Sequence, residues 1–519
     1  MKQDSRKVVI VGGGIAGLCA AVYAQECGYQ AEVLEMHDIA GGLATSWRRG
    51  GYTFETCLHW LYGSNPNGPM HSQWLEVCDI DKLTFVNHEQ LGCIEKEGGG
   101  SLTIFTGVGR LEKEMLNRAP RDAAAIRRFT SAIRRFGKFK MPDPCANWAA
   151  NLSTLLRDVP YMPLLRTLSG MSCKEYGKRF NDPLLRGFFG EGDMGQLSAI
   201  ALFFSLAWMN QQNAAYAVGG AQALIRLIED RLVSQGGRVR FATRVDRILV
   251  ENDAAVGVQL AGGETVAADW VISAADGHAT IYDLLGGKYT SRAIDKTYNE
   301  LETFPSYLQV SLGVAMDLAG QPVSLTRLLD LPLLVDPGTD LNQVSFRLFN
   351  FDPTFAPTGK TAVTCFLPTR NFAYWVHLQE RDPAGYRAEK HRIAEAVIAI
   401  LEKRFRGLRQ AIEVVDVATP ATVIRYTGNW KGSMEGWFIG PGARFRALPN
   451  TLPGLRQFTM VGQWVMPGGG LPSGPMTARP AVKAICKRDG VPFTPRPKEA
   501  LRVDLNSTSL PGMGRTVRL

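Results

Sequence analysis

Three glycines at fixed spacing offer the first chemistry in this sequence. Gly12, Gly14 and Gly17 form G-x-G-x-x-G directly after a β-branched run, Lys7 to Val11. In that setting the first glycine permits a tight turn, the second lets backbone approach a pyrophosphate, and the third lets a helix pack closely on a strand. A helix whose first turn holds Ile15 and Ala16 then directs its positive N-terminal end at the phosphates. Glu35, closing the next strand-like run, is placed to accept hydrogen bonds from a ribose. Together these residues predict a dinucleotide site without saying which dinucleotide. Competing catalytic patterns do not occur in the sequence: there is no G-x-S-x-G, no H-E-x-x-H and no Walker lysine.

The elements that must position these residues are legible around them. Lys7 to Val11 reads as a buried parallel strand, the following helix continues to Gly28 as its C-cap, and Ala31 to Leu34 reads as a second strand, a β-α-β opening. From Lys113 to Trp208 the pattern is mostly helical, broken by prolines, and reads as an inserted domain. A helix after Gly219-Gly220 places Leu224, Leu227, Ile228 and Leu232 on one face. Strand-like runs follow at 239–241, 245–250, 255–260 and 270–273. Tyr307 to Val314 is strand-like, and a helix is expected from about Ala384 to Arg404. A last core segment, Gln457 to Lys487, carries another glycine cluster.

Paired glycines at Gly41-Gly42 sit in EMHDIAGG, an E-x5-G-G pattern after the Rossmann acid. FAD is long enough to run from the first turn past such a second loop. This start resembles the flavin-binding opening of the FAD-dependent amine oxidase superfamily, and three further segments narrow the resemblance to its phytoene desaturase, carotenoid isomerase and retinol saturase branch. FETCLHWLYG, from Phe54 to Gly63, is similar to the branch's F-[DE]-x-G-x-H segment, with Cys57 in the glycine position and His59 in the histidine position. The run from Tyr216 to Asp276 resembles the family's helix and β-meander at the adenine end, where Val245 matches a backbone contact to adenine. MVGQWVMPGGGLPSGPMTARPAV, from Met460 to Val482, resembles the helix entry against the pyrimidine side of the flavin ring. The resemblance implies FAD held by Gly12, Gly14, Ile15, Ala16, Gly17, Glu35, Gly41, Gly42, Leu43, His59, Val245, Gly462, Gly469, Gly470 and Leu471. His59 is the candidate catalytic residue, either beside the flavin ring or at the mouth of a substrate channel; a packed core histidine is an equal reading.

The expected fold class is α/β: a Rossmann-type FAD-binding domain with a β-meander, interleaved with an α+β substrate-binding domain. The cofactor domain is assigned to residues 1–105, 216–290 and 445–490, and the substrate domain to 106–215 and 291–444. Residues 491–519 form a Pro- and Lys/Arg-rich tail, expected to be loosely ordered.

The implied activity is flavin-dependent desaturation, saturation or redox-neutral isomerisation of C–C bonds in an apolar, isoprenoid or polyene substrate. An FAD-dependent amine oxidase is the alternative, opposed by Leu43 where many amine oxidases carry arginine. A non-catalytic lipid-binding protein on the same fold is the second alternative, opposed by three intact glycine segments.

Composition sets the remaining bounds. With 519 residues, 45% hydrophobic and 21% charged, the chain has ordinary globular usage. Its net charge of +9 does not by itself choose among anionic partners; no nucleic acid is expected. The stretch from Arg110 to Lys140 holds ten Lys or Arg against three acids, with Ile126, Phe129, Ile133 and Phe136 at helical spacing. It reads as a solvated face over a core stripe, with docking on anionic lipid as the minority reading. Nine cysteines without C-x-x-C favour a reducing compartment and predict no metal site. A cytoplasmic protein, in membrane contact at most peripherally, is expected. No second dinucleotide fingerprint occurs, so the electron acceptor stays open, as does the oligomeric state.

Overall fold

A computed structural model describes residues 6–139, 152–153, 156–190, 192–442, 448–495 and 517–518. Its centre is a five-stranded parallel sheet built from β1 (Lys7–Val11), β2 (Gln30–Leu34), β3 (Arg238–Arg240), β4 (Trp270–Ser273) and β5 (Phe458–Met460), in the order β3-β2-β1-β4-β5. Val8, Val9 and Ile10 are fully buried, as a parallel strand covered on both faces requires. Three helices cover one side: α1 (Ile15–Glu26), α2 (Gly220–Ser234) and α3 (Ser473–Asp489). α1 is buried from Ala16 through Ala24 and is apolar all round because the sheet, α2 and α3 enclose it. Segments more than 400 residues apart in sequence thus share one core. A three-stranded antiparallel meander, 245–251, 254–260 and 265–267, lies on the opposite side.

A second, seven-stranded sheet orders its strands 412–418, 306–314, 361–369, 339–348, 324–336, 90–96 and 101–105. Ser306–Val314 is buried at all nine positions, because the helix Pro383–Glu402 packs on one face and the segment at Tyr52 to Glu55 approaches the other. Here the sequence-based boundary shifts. The strands Gln90–Lys96 and Ser101–Phe105, assigned above to the cofactor domain, pair into this large sheet through Leu325↔Cys93 and its neighbours. Their alternation fits either sheet, and only the long-range partner decides.

The helical insertion, from Val108–Arg118 to Ala199–Asn210, has an aromatic core. Phe129 meets Phe189 and Phe203 edge-on, with ring centroids 5.3 and 5.2 Å apart. Ile126, Phe129, Ile133 and Phe136 are buried in it, while Arg127, Arg128, Arg134 and Arg135 on the same helix are exposed. The expected core stripe is therefore real, and the basic face is left at the surface. Among the described residues no helix is long and apolar enough to cross a membrane. The tail falls outside the described residues from 496 on, apart from 517–518.

Candidate cofactor cradle and adjoining cleft

The glycine turn between β1 and α1 is fixed by contacts that admit no side chain. A Cβ on Gly17 would lie 2.0 Å from the Gly12 carbonyl oxygen, so helix and strand meet only because that atom is missing. Around Gly14, by contrast, the nearest atom to an added Cβ is 3.9 Å away, leaving open space where a ligand's phosphates would lie. No side chain caps α1, so its first-turn N–H groups face that space. Glu35 is buried, and its carboxylate accepts from the Gly13 N–H at 2.6 Å and the His37 N–H at 2.8 Å. Each oxygen keeps a lone pair for a ribose hydroxyl.

The second glycine loop joins the first. The Gly41 N–H donates to the Gly13 carbonyl at 3.0 Å, and Thr56 Oγ1 donates to the Leu43 carbonyl at 2.9 Å, connecting this loop to the segment that carries His59. Val245 is buried behind Glu35, in a chain whose Thr243 N–H donates to the Glu35 carbonyl at 2.8 Å. Gly462 contributes shape rather than a donor: its N–H goes to Thr477 Oγ1 at 2.8 Å, and a Cβ there would stand 3.3 Å from Ala16 Cβ. Gly469 is similar, with its N–H on the Met466 carbonyl and its Cα 's side-chain position 2.5 Å from the Glu435 carbonyl oxygen. The N–H groups of Gly42, Leu43, Gly470 and Leu471 have no acceptor among the described residues. A long dinucleotide therefore fits: anion-facing amides at one end, a ribose acceptor beside them, and free backbone donors at two further loops.

Beyond this cradle a cleft opens between the segment 55–60 and the large sheet. Glu55, Cys57, His59, Gln309, Arg347 and Phe366 line it, and a second cleft shares His59 and Arg347 with it and adds Trp60, His88 and Met209. His59 has open surface, yet protein surrounds it, so that surface faces the cleft. Burial, with a smaller push from Arg347, lowers its pKa to about 3, which keeps the imidazole neutral at physiological pH. Cys57, in the family's glycine position, is not among the residues with positive φ, so the loop accepts a side chain there. Its thiol is held far up by burial and then by the charges of Glu55 and Glu435.

Two acids, Glu55 in the wall of this cleft and Glu435 beside the Gly469 loop, hold their protons unusually late. Burial raises Glu55 to about 7, against hydrogen bonds from the Ala221 N–H (2.9 Å) and the Leu58 N–H (2.7 Å) that lower it. Gly220 must be glycine for this, since a Cβ would fall 1.7 Å from Glu55 Oε2. Glu435 is raised to about 7 by burial alone, and its carboxyl has no hydrogen-bond or ion-pair partner among the described residues. Neither acid, nor Arg347 on the strand Thr339–Leu348, stands out in the sequence. Glu55 was within reach through the F-[DE] position of its segment; Glu435 and Arg347 carry no local signal at all.

A model of the family described as flavin containing amine oxidoreductase matches residues 15–382. The chain is 23% identical over 502 residues to a chloroplastic prolycopene isomerase of Daucus carota, covering 89% of this chain and 77% of that protein. It is 24% identical over 495 residues to a neurosporene-forming phytoene desaturase of Cereibacter sphaeroides, covering 91% and 92%. Among solved structures, an oxidoreductase from Methanosarcina mazei superposes with a TM-score of 0.59 at 18% identity, over 92% of this chain and 100% of that one, a likeness of fold.

Proposed function

Because the chain belongs to the flavin-containing amine oxidoreductase family, we propose that this FAD-dependent oxidoreductase acts on carbon–carbon bonds of an apolar polyene or isoprenoid chain, by desaturation, saturation or isomerisation. The observation that carries the reading is similarity along nearly the whole chain to proteins named for polyene isomerisation and desaturation. FAD bound along the cradle supplies hydride or electron transfer, and the protein supplies orientation and electrostatics.

The residues fit those tasks. Gly12, Gly14 and the first turn of α1 bind the pyrophosphate, and Glu35 orients a ribose. Gly42, Leu43, Gly470 and Leu471 offer amides along the rest of the cofactor. Beside the Gly469 loop and within electrostatic reach of Cys57 in the cleft wall, the Glu435 carboxyl is unpartnered among the described residues and titrates near neutrality; it holds or releases a proton at its Oε atoms as a substrate C–H bond is made or broken. His59 stays neutral and shapes the wall. An amine substrate fits less well, because its ammonium would enter a cleft already holding the buried Arg347 cation.

We place a peripheral contact with an anionic membrane surface on the exposed basic face of the helix Ala123–Phe136, from which an apolar substrate would be drawn. The function is tested by incubating the FAD-loaded protein with poly-cis and partly saturated polyenes and following the visible absorption of the products. Lengthened or isomerised chromophores are expected; unchanged spectra with every polyene, alongside turnover of amines, would overturn the reading.

A further inference from the structure

Arg347 is a buried cation whose hydrogen bonding is incomplete. It is 6% exposed, and its hydrogen bond among the described residues runs from Nη2 to the His59 carbonyl at 3.2 Å. Nε has no partner. The faces of the guanidinium are covered instead, with ring centroids of Phe351 and Tyr216 at 5.3 and 5.5 Å. Such stacking uses the face of the group and none of its N–H donors, which project from its edge.

The neighbouring acids do not complete it. Each Glu55 oxygen accepts from a backbone N–H, and neither forms a hydrogen bond or ion pair with Arg347 among the described residues. Asp352 accepts from Tyr216 O–H and the Gly219 N–H on one oxygen and from Thr354 on the other. No ion pair to Arg347 forms among the described residues. A second orphan lines the second cleft, which shares His59 and Arg347 with the first: His88 Nε2 is buried without a partner among the described residues, and its ring, like that of His59, stays neutral. Keeping a cation and a histidine nitrogen buried and unmatched is costly. A wholly hydrocarbon occupant would leave both so.

We propose that Arg347 and His88 form an anion-accepting subsite in the substrate cleft, which takes the carboxylate end of an otherwise apolar, unsaturated chain. The proposal rests on the cleft being the substrate site of the flavoenzyme and narrows the substrate class from hydrocarbons to polar-headed chains. Arg347 supplies the charge and an edge donor, His88 a neutral N–H in the matching tautomer, and the aromatic faces fix the guanidinium plane. Arg347 acts here as a specificity residue and makes no contact with the bond that reacts.

The test is calorimetric titration of the FAD-loaded protein, in micelles, with oleate, oleyl alcohol and 1-octadecene. Oleate is expected to bind about tenfold to a hundredfold more tightly than 1-octadecene, as a charge-assisted hydrogen bond would give. Arg347→Met should erase that preference, and Arg347→Lys should keep part of it. Equal binding of oleate and 1-octadecene by the unaltered protein would overturn the proposal, whether or not Arg347→Met folds. Undiminished oleate binding by a folded Arg347→Met protein would overturn it too, by placing the carboxylate elsewhere. Failure of the polyene reading is separately visible: it appears as absent turnover, while the oleate preference is measured without any turnover.

Discussion

The cofactor cradle and the substrate cleft are built from different materials. The cradle is made of backbone, with glycines that exclude side chains and amides that face a ligand, and its carboxylate, Glu35, is held by one backbone N–H on each oxygen, with a lone pair on each left for a ribose. The cleft is made of side chains from distant strands, and among the described residues it keeps polar atoms unmatched at Arg347 and His88. The first arrangement tolerates almost no substitution and serves one ligand. The second stores its specificity in a few charged groups whose surroundings are otherwise apolar, so it can change substrate without changing fold.

The sharpest way to break this contrast is at Gly17. Gly17→Ala places a methyl 2.0 Å from the Gly12 carbonyl oxygen, so the turn must open. A destabilisation of about 3 kcal/mol or more is expected, with flavin content of the purified protein falling toward zero; a variant that retains FAD would show that the cradle is more plastic than its packing indicates.

Glu35→Ala ranks next. It removes a buried acceptor from two backbone donors, 2.6 and 2.8 Å away. FAD affinity, followed by flavin fluorescence on dilution, should fall about tenfold to a hundredfold.

On the cleft side the effect is a pH dependence. Glu435 is raised from 4.5 to about 7, so between those values the folded protein holds a proton that the unfolded chain has lost. Stability from this group is therefore fully present below pH 4.5 and is lost as pH rises toward 7. A decline of about 3–4 kcal/mol over that window is the upper bound for this residue. Glu435→Gln should flatten part of the decline in thermal melts taken from pH 5 to 8; Glu55, raised in the same direction, supplies the remainder. An unaltered pH profile would place the Glu435 carboxyl in contact with solvent.

The smallest effect is expected far from both regions. Arg127→Glu with Arg128→Glu, on the exposed helix face, should move stability by no more than about 0.5 kcal/mol. Flotation with anionic vesicles should drop, and vesicles of neutral lipid should show no such change; equal flotation of both proteins would remove the membrane contact.

These materials also explain what could be read in advance. Backbone sites leave a compositional trace: Gly12, Gly14, Gly17 and Gly41-Gly42 are close in sequence, and their spacing reports the turn they form. Even the distant Gly468 to Gly470 cluster is visible, because it stands within G-Q-W-x-x-P-G-G-G-x-P, a pattern far more specific than a glycine run before a helix. The parallel sheet around β1 followed from the same local patterns. The pairing of 90–105 with the large sheet was not legible, because alternation reports burial and not partner. Arg347 and Glu435 were illegible for a related reason. An arginine in a strand or a glutamate in a loop is ordinary until folding encloses it, and only the pairing of 339–348 with 361–369 reveals what surrounds Arg347.

On the proposed function, a flavin held by the glycine cradle exchanges electrons with a polyene in the adjoining cleft. Anaerobic mixing of the oxidised, FAD-loaded protein with a panel of partly saturated polyenes and primary amines, followed at the flavin absorption bands, tests it most directly. Bleaching of the flavin by a polyene, with a new conjugated double bond in the product, or isomerisation of a poly-cis polyene once the flavin is reduced, is the predicted result. A protein that binds no FAD, or one whose flavin is bleached by amines and is indifferent to every polyene in both redox states, would contradict it.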